Sequence, residues 1–322
     1  MLQLNDLHHR YFSYIRLSVT DLCNFNCKYC LPYKNIQINK YDQLSTYEIY
    51  NLMNVLSDLG IKKIRLTGGE PTVRKDFLDI CKIISSFKNI QSLVLTTNGY
   101  SLNNIIKNVY KTGVNGINIS LDTLNDIKFY NITNKKYFNK VYAGILKSLE
   151  FDLDVKLNIV LSDFFSLSDF ETFYSLIKYK KISIRLISQM ETNEIKKNVN
   201  NLKMEYIITF LKNNNWQIEK KFSSDGPALN FKHNLYYGNI GVINPYLKTF
   251  CSDCNRLRIS SNGYFFLCLF GHKGYYIKNL LHSSKKNDLK VFLINKIKLK
   301  LNSHFLNDNN FGLIKTFSSI GG

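Results

Sequence analysis

The chain has 322 residues, 45% of them hydrophobic, enough for one large domain with an appendage. No run approaches the roughly 18 apolar residues of a membrane helix, and Met1 to Tyr14 holds two histidines and an arginine with no apolar signal region, so a cytoplasmic protein without a membrane partner is expected. The net charge of +19 invites a nucleic-acid reading, but the lysines are spread widely among many asparagines, which coding bias explains without any such partner.

In chain order, Tyr14-Ile15-Arg16-Leu17-Ser18-Val19 reads as a strand with a cysteine-rich loop after it. Ser45-Thr46-Tyr47-Glu48 is a capping box; the helix it opens carries Ile49, Leu52, Met53, Leu56 and Leu59 on one face and stops at Gly60. Lys63-Ile64-Arg65-Leu66 is the next strand and ends in Thr67-Gly68-Gly69-Glu70-Pro71. Further strands are expected near 92–96, 115–120, 154–160 and 182–187, with helices near 75–87, 101–112, 137–150 and 166–179. Strand alternating with helix predicts parallel pairing, and six such units predict an α/β fold, an incomplete (β/α)6 TIM-type barrel. The chemistry of such a barrel belongs at the C-terminal strand ends. After residue 200 the rhythm changes: helix Met204–Asn213, short strand-like pieces and an amphipathic helix near 286–301. The expected division is 1–200 for the barrel and 201–322 for a C-terminal extension that closes one opening of it.

Six of the seven cysteines form two triplets, Cys23-x3-Cys27-x2-Cys30 and Cys251-x2-Cys254-x13-Cys268. Without a secretion signal they point to metal or redox use rather than disulfides. Cys81 is left over, in a helix-like stretch, as a core thiol. Each triplet offers three thiolates where a closed zinc site needs four ligands. A zinc knuckle borrowing His8 or His9 is the alternative for the first, against which its spacing speaks. Only seven of the 43 basic residues are arginine, and Arg16, Arg65, Arg185, Arg256 and Arg258 lie at strand positions or beside cysteines. Forked guanidinium groups suit phosphate and carboxylate, so anion recognition is expected; ion pairs inside the barrel are the alternative.

The first triplet with Thr67-Gly68-Gly69-Glu70-Pro71 resembles the radical S-adenosylmethionine (SAM) enzymes. The second, in Cys251-Ser252-Asp253-Cys254-Asn255-Arg256-Leu257-Arg258 and Phe266-Leu267-Cys268-Leu269-Phe270-Gly271, is similar to that of the GTP 3′,8-cyclases of molybdenum cofactor biosynthesis. The resemblance implies two [4Fe-4S] clusters, one on Cys23, Cys27 and Cys30 and one, in the extension, on Cys251, Cys254 and Cys268. It implies that Tyr29, Gly69, Ser120 and Met190 contact SAM, and that Arg16, Arg65, Thr96, Lys156, Arg256 and Arg258 hold the GTP. It also implies that the terminal Gly321-Gly322, by composition a frayed end, threads into the active site for catalysis. The implied reaction is radical abstraction from C3′ of GTP, attack on C8 and reduction to the cyclised nucleotide. The implied partners are a reducing electron donor, a downstream cyclic pyranopterin monophosphate synthase and a second copy in a homodimer. Leu22, Ser188 and Lys315-Thr316-Phe317 depart from the family pattern. A peptide-modifying radical SAM enzyme with an auxiliary cluster and a zinc-containing nucleic-acid-binding protein are the rival readings.

Overall fold

A computed structural model describes residues 3–30, 42–191, 201–220, 226–304 and 306. The first half runs β1 (Tyr14–Ser18), α1 (Thr46–Asp58), β2 (Lys63–Thr67), α2 (Phe77–Ser85), β3 (Ser92–Thr97), α3 (Leu102–Lys111), β4 (Gly116–Ser120), α4 (Asp126–Thr133), α5 (Phe138–Ser148), β5 (Asp154–Leu161), α6 (Leu167–Tyr179) and β6 (Ser183–Ser188). The second half adds α7 (Asn201–Asn213), β7 (Gln217–Ile218), β8 (Leu229–Lys232), β9 (Ile240–Ile243), β10 (Arg256–Ile259), β11 (Tyr264–Phe266), β12 (Gly274–Tyr276) and α8 (Lys286–Ile297). The predicted capping box is formed: Ser45 Oγ accepts from Glu48 N at 3.2 Å, and the Glu48 carboxylate accepts from Ser45 N at 2.7 Å. Gly60 ends the helix with φ +80°, a conformation that a side chain would resist.

Among the described residues all twelve strands join one sheet in the order β12-β11-β10-β1-β2-β3-β4-β5-β6-β9-β8-β7. Strands β1 to β6 are parallel neighbours, as the alternation predicts. The second half enlarges this wall instead of only closing an opening: β9 pairs parallel with β6, and β10 pairs parallel with β1. Sequence periodicity could not foresee those pairings, because β10 lies more than 230 residues after its partner.

The two faces of the wall differ in chemistry. Alternate positions Ile15, Leu17, Ile64, Leu66, Ile117, Ile119, Leu157 and Ile184 are fully buried in the continuous apolar core. The opposite face carries Arg16, Arg65, Thr96, Asn118, Lys156, Asn158, Arg185 and Arg258, by the period-2 alternation of a strand. Parallel barrels normally fill their interior with branched apolar side chains. A charged interior forfeits that packing, so it signals a binding site.

Candidate functional site

The first cysteine loop follows β1 and is fixed from three sides. Asn26 N and Lys28 N donate to Thr133 O and Ile132 O, at 3.4 and 3.1 Å, using carbonyls that the end of α4 leaves open. Phe25, 5% exposed, meets Phe129 of α4 edge-on with ring centroids 5.9 Å apart. Asn98, after β3, donates from Nδ2 to Asn24 Oδ1 at 2.7 Å and approaches Cys23 Sγ at 3.9 Å. Helix α4 is absent from the sequence reading. Its signals were the Asn125 cap, whose Oδ1 accepts from Lys128 N at 2.9 Å, and Asn134 at its end with φ +56°.

The Gly68-Gly69 pair admits a close backbone approach, that of the cysteine loop. A Cβ at Gly68 would lie 2.3 Å from Thr20 O, and one at Gly69 would lie 2.3 Å from Leu22 O. Gly69 N and Glu70 N donate to those same carbonyls at 2.8 and 2.7 Å. Fully buried Glu70 accepts from Thr72 Oγ1, Thr97 Oγ1 and Asn98 N at 2.6, 2.7 and 2.6 Å, and so latches the β2 and β3 loops together. Tyr29 donates its hydroxyl to Asp122 Oδ2 at 2.5 Å, and Asp122 Oδ1 accepts from Val160 N at 2.8 Å. Ser120 stands exposed at the end of β4.

Burial raises all three thiols of this loop, and they also feel one another: Cys30 and Cys23 push Cys27 further up, and Cys23 helps bring Cys30 to about 12. Among the described residues no three His, Cys, Asp or Glu side chains converge on one point as a single ion requires. A cubane presents a different iron to each thiolate, so three thiols need not meet at one point to hold it.

The second triplet walls a cavity of about 340 Å³ inside the barrel. Six of the chain's seven arginines line it: Arg10, Arg16, Arg65, Arg185, Arg256 and Arg258. The strand register explains the gathering, since Arg258, Arg16 and Arg65 occupy one row across β10, β1 and β2. Asn118 Oδ1 accepts from Arg65 Nη1 and Arg185 Nη1 at 2.8 Å each, and Arg256 lies over the Phe250 ring at 4.9 Å. Like charges so packed destabilise one another. Burial and then Arg258 hold Arg16 well below its ordinary pKa, while burial and then Arg256 bring Arg258 to about 10. Burial opposes ionisation of Cys254, yet Lys300, Arg256 and Arg10 outweigh it and lower that thiol to about 6, which makes it a ready thiolate ligand. The site therefore favours an anion and offers three sulfur donors beside it.

Met190 also lines this cavity, with Cys251, Cys254 and Cys268. Thr96 and Lys156 are not among the lining residues; Lys156 pairs with Asp154 on its own strand, and Thr96 Oγ1 is buried with no hydrogen-bond partner among the described residues. Gly321, Gly322 and Lys315-Thr316-Phe317 lie outside the described residues. Buried Cys81 stands in α2 as a core thiol. Arg10 and Lys300 escaped the sequence reading because their contacts lie far along the chain. Lys300 donates to Leu267 O, next to Cys268, and sits over the Phe12 ring at 5.4 Å. No helix among the described residues is long and apolar enough to cross a membrane.

Two family models match: the Radical SAM superfamily over residues 17–177 and Molybdenum Cofactor Synthesis C over residues 182–306. A GTP 3′,8-cyclase of Psychromonas ingrahamii is 41% identical over 324 residues, 99% of this chain and 96% of that relative. One from Vibrio vulnificus is 38% identical over 326 residues, 99% of this chain and 98% of that relative. Among solved structures, Streptococcus suis SuiB matches with TM-score 0.66 at 14% identity, over 88% of this chain and 69% of that one. At that identity the likeness shows the fold alone.

Proposed function

The chain belongs to the GTP 3′,8-cyclases of the radical SAM superfamily, enzymes of molybdenum cofactor biosynthesis, and we propose a division of labour between its two halves. Residues 1–200 hold the radical-generating [4Fe-4S] cluster on Cys23, Cys27 and Cys30, and residues 201–322 hold a second one on Cys251, Cys254 and Cys268. When bound, the first cluster and SAM supply a 5′-deoxyadenosyl radical by one-electron cleavage.

The chain's own residues orient, neutralise and exclude water. Tyr29, Gly69 and Ser120, all at the C-terminal strand ends, contact SAM, and Met190 on the cavity wall supports a SAM pocket that opens toward the substrate. Arg16, Arg65, Arg256 and Arg258 hold the triphosphate, joined by Arg185. Thr96 gives a neutral contact through its unspent hydroxyl, and Lys156 joins by exchanging Asp154 for a phosphate. The guanine base lies against the second triplet. The segment after α8, Leu299 to His304, walls the same cavity, which supports a tail that brings Gly321 and Gly322 to the substrate. The reaction also calls for a reducing electron donor, a separate synthase that takes the cyclised product to cyclic pyranopterin monophosphate, and assembly as a homodimer.

One observation carries this reading: six of seven arginines converge on a cavity walled by three cysteines. The test is anaerobic reconstitution followed by nucleotide binding. About eight irons per chain are expected for two cubanes. GTP should bind more tightly than ATP, and Arg258→Ala should weaken GTP by about ten-fold or more, for a lost charge-assisted contact of roughly 1.5–3 kcal/mol. Equal affinity for the two nucleotides would contradict a guanine contact at the second triplet.

A further inference from the structure

Arg10 faces the same cavity as the other five arginines, yet its donors are spent on protein. Its Nε donates to Asp6 Oδ2 at 2.6 Å, and both side chains of this ion pair are buried, 6% and 0% exposed. Its Nη1 donates to Cys251 O at 3.0 Å and to Asn302 O at 2.8 Å, and its Nη2 donates to Leu301 O at 2.6 Å. One guanidinium thus joins three stretches of chain: the N-terminal segment, the first residue of the second triplet, and the wall segment after α8.

The segment that carries Arg10 is built to hold it still. Asn5 and Tyr11 bridge antiparallel, Phe12 N donates to Leu4 O at 2.9 Å, and His9 turns the chain with φ +61°. Asp6 Oδ1 accepts from His8 N and Arg10 N at 2.9 and 3.0 Å, so one carboxylate fixes both the turn and the guanidinium. Leu4 and Phe12 anchor both ends in the core at 1% and 0% exposure. A charge already paired with Asp6 and bonded to three carbonyls has little left for a ligand.

We infer that Arg10 is a positioning residue that clamps the Cys251 loop to the 301–302 segment, so that the second triplet keeps its cluster only while the N-terminal hairpin is in place. Lysine cannot replace it: a single ammonium cannot span carbonyls that a planar fork reaches together. The inference rests on the proposal that the second triplet holds a cluster.

The test uses the anaerobically reconstituted holoenzyme with Arg10→Ala and Arg10→Lys. Iron per chain, the electron paramagnetic resonance spectrum of the reduced protein, and iron release to a chelator are compared with wild type. Arg10→Ala should lose about four irons per chain and the second cluster's signal while keeping those of the first. Arg10→Lys should release second-site iron at least about three-fold faster, because most of the charge-assisted bonds are gone. Wild-type iron content and release in Arg10→Ala would overturn the inference; if that variant fails to fold, wild-type release in Arg10→Lys does the same. Should wild type itself hold a single cluster, the cluster reading fails, and the clamp is then decided by alkylation of Cys251. Buried Cys251 should react at least about ten-fold faster in whichever variant folds, as its loop opens more often. An unchanged rate would overturn the clamp on its own.

Discussion

At Gly69 a single hydrogen atom decides whether the first cysteine loop can sit where it does. Any side chain there would press within 2.3 Å of Leu22 O, a backbone atom that cannot rotate aside. Gly69→Ala should therefore cost about 1–3 kcal/mol and displace the loop, a case of overpacking against main chain. A lowered melting temperature with loss of first-site iron is expected, and unchanged iron and melting would show that the loop has slack. The residue types of the triplets and the paired glycines were legible in the sequence because their chemistry is local and their spacing short. Arg10 was not, since the carbonyls it holds belong to residues 251, 301 and 302.

At the scale of elements, the barrel strands and their flanking helices follow from alternation, and the observed ends fall close to the expected ones. Helix α4 was missed because eight residues carry little periodicity and its caps are asparagines, which serve turns equally well. Yet α4 is what the first cysteine loop rests on. Phe129→Ala removes a ring 3% exposed that packs edge-on against Phe25, and should cost about 3–5 kcal/mol. Iron at Cys23, Cys27 and Cys30 should then be released faster than iron at the second triplet, as followed by chelator kinetics. Equal acceleration at both sites would mean that α4 supports the fold in general and not that loop. The strand positions of Arg256 and Arg258 were also legible, as alternate residues on one face. That β10 would lie beside β1, completing the row Arg258–Arg16–Arg65, required a pairing that no local pattern specifies.

For the whole molecule, the total of +19 charges says less than their arrangement. Arginines of the inner wall repel one another until an anion arrives, so a triphosphate should stabilise the chain as well as bind to it. At a hundred times its dissociation constant it should add about 2.7 kcal/mol, seen as a raised melting temperature. The tail poses the opposite case. Deleting Gly321-Gly322 should leave melting temperature and iron content unchanged, since terminal glycines add little to folding, yet product formation should collapse and partly recover when the tail is supplied as a short peptide. Full activity in the truncated chain would make the tail a frayed end.

The central claim is that one cysteine triplet makes the radical and the other holds the substrate it acts on. Parallel measurement of 5′-deoxyadenosine and cyclised nucleotide in Cys268→Ala under anaerobic, reducing conditions tests it most directly. SAM cleavage should persist, uncoupled, while cyclised product disappears. Normal product formation in that variant would contradict the claim.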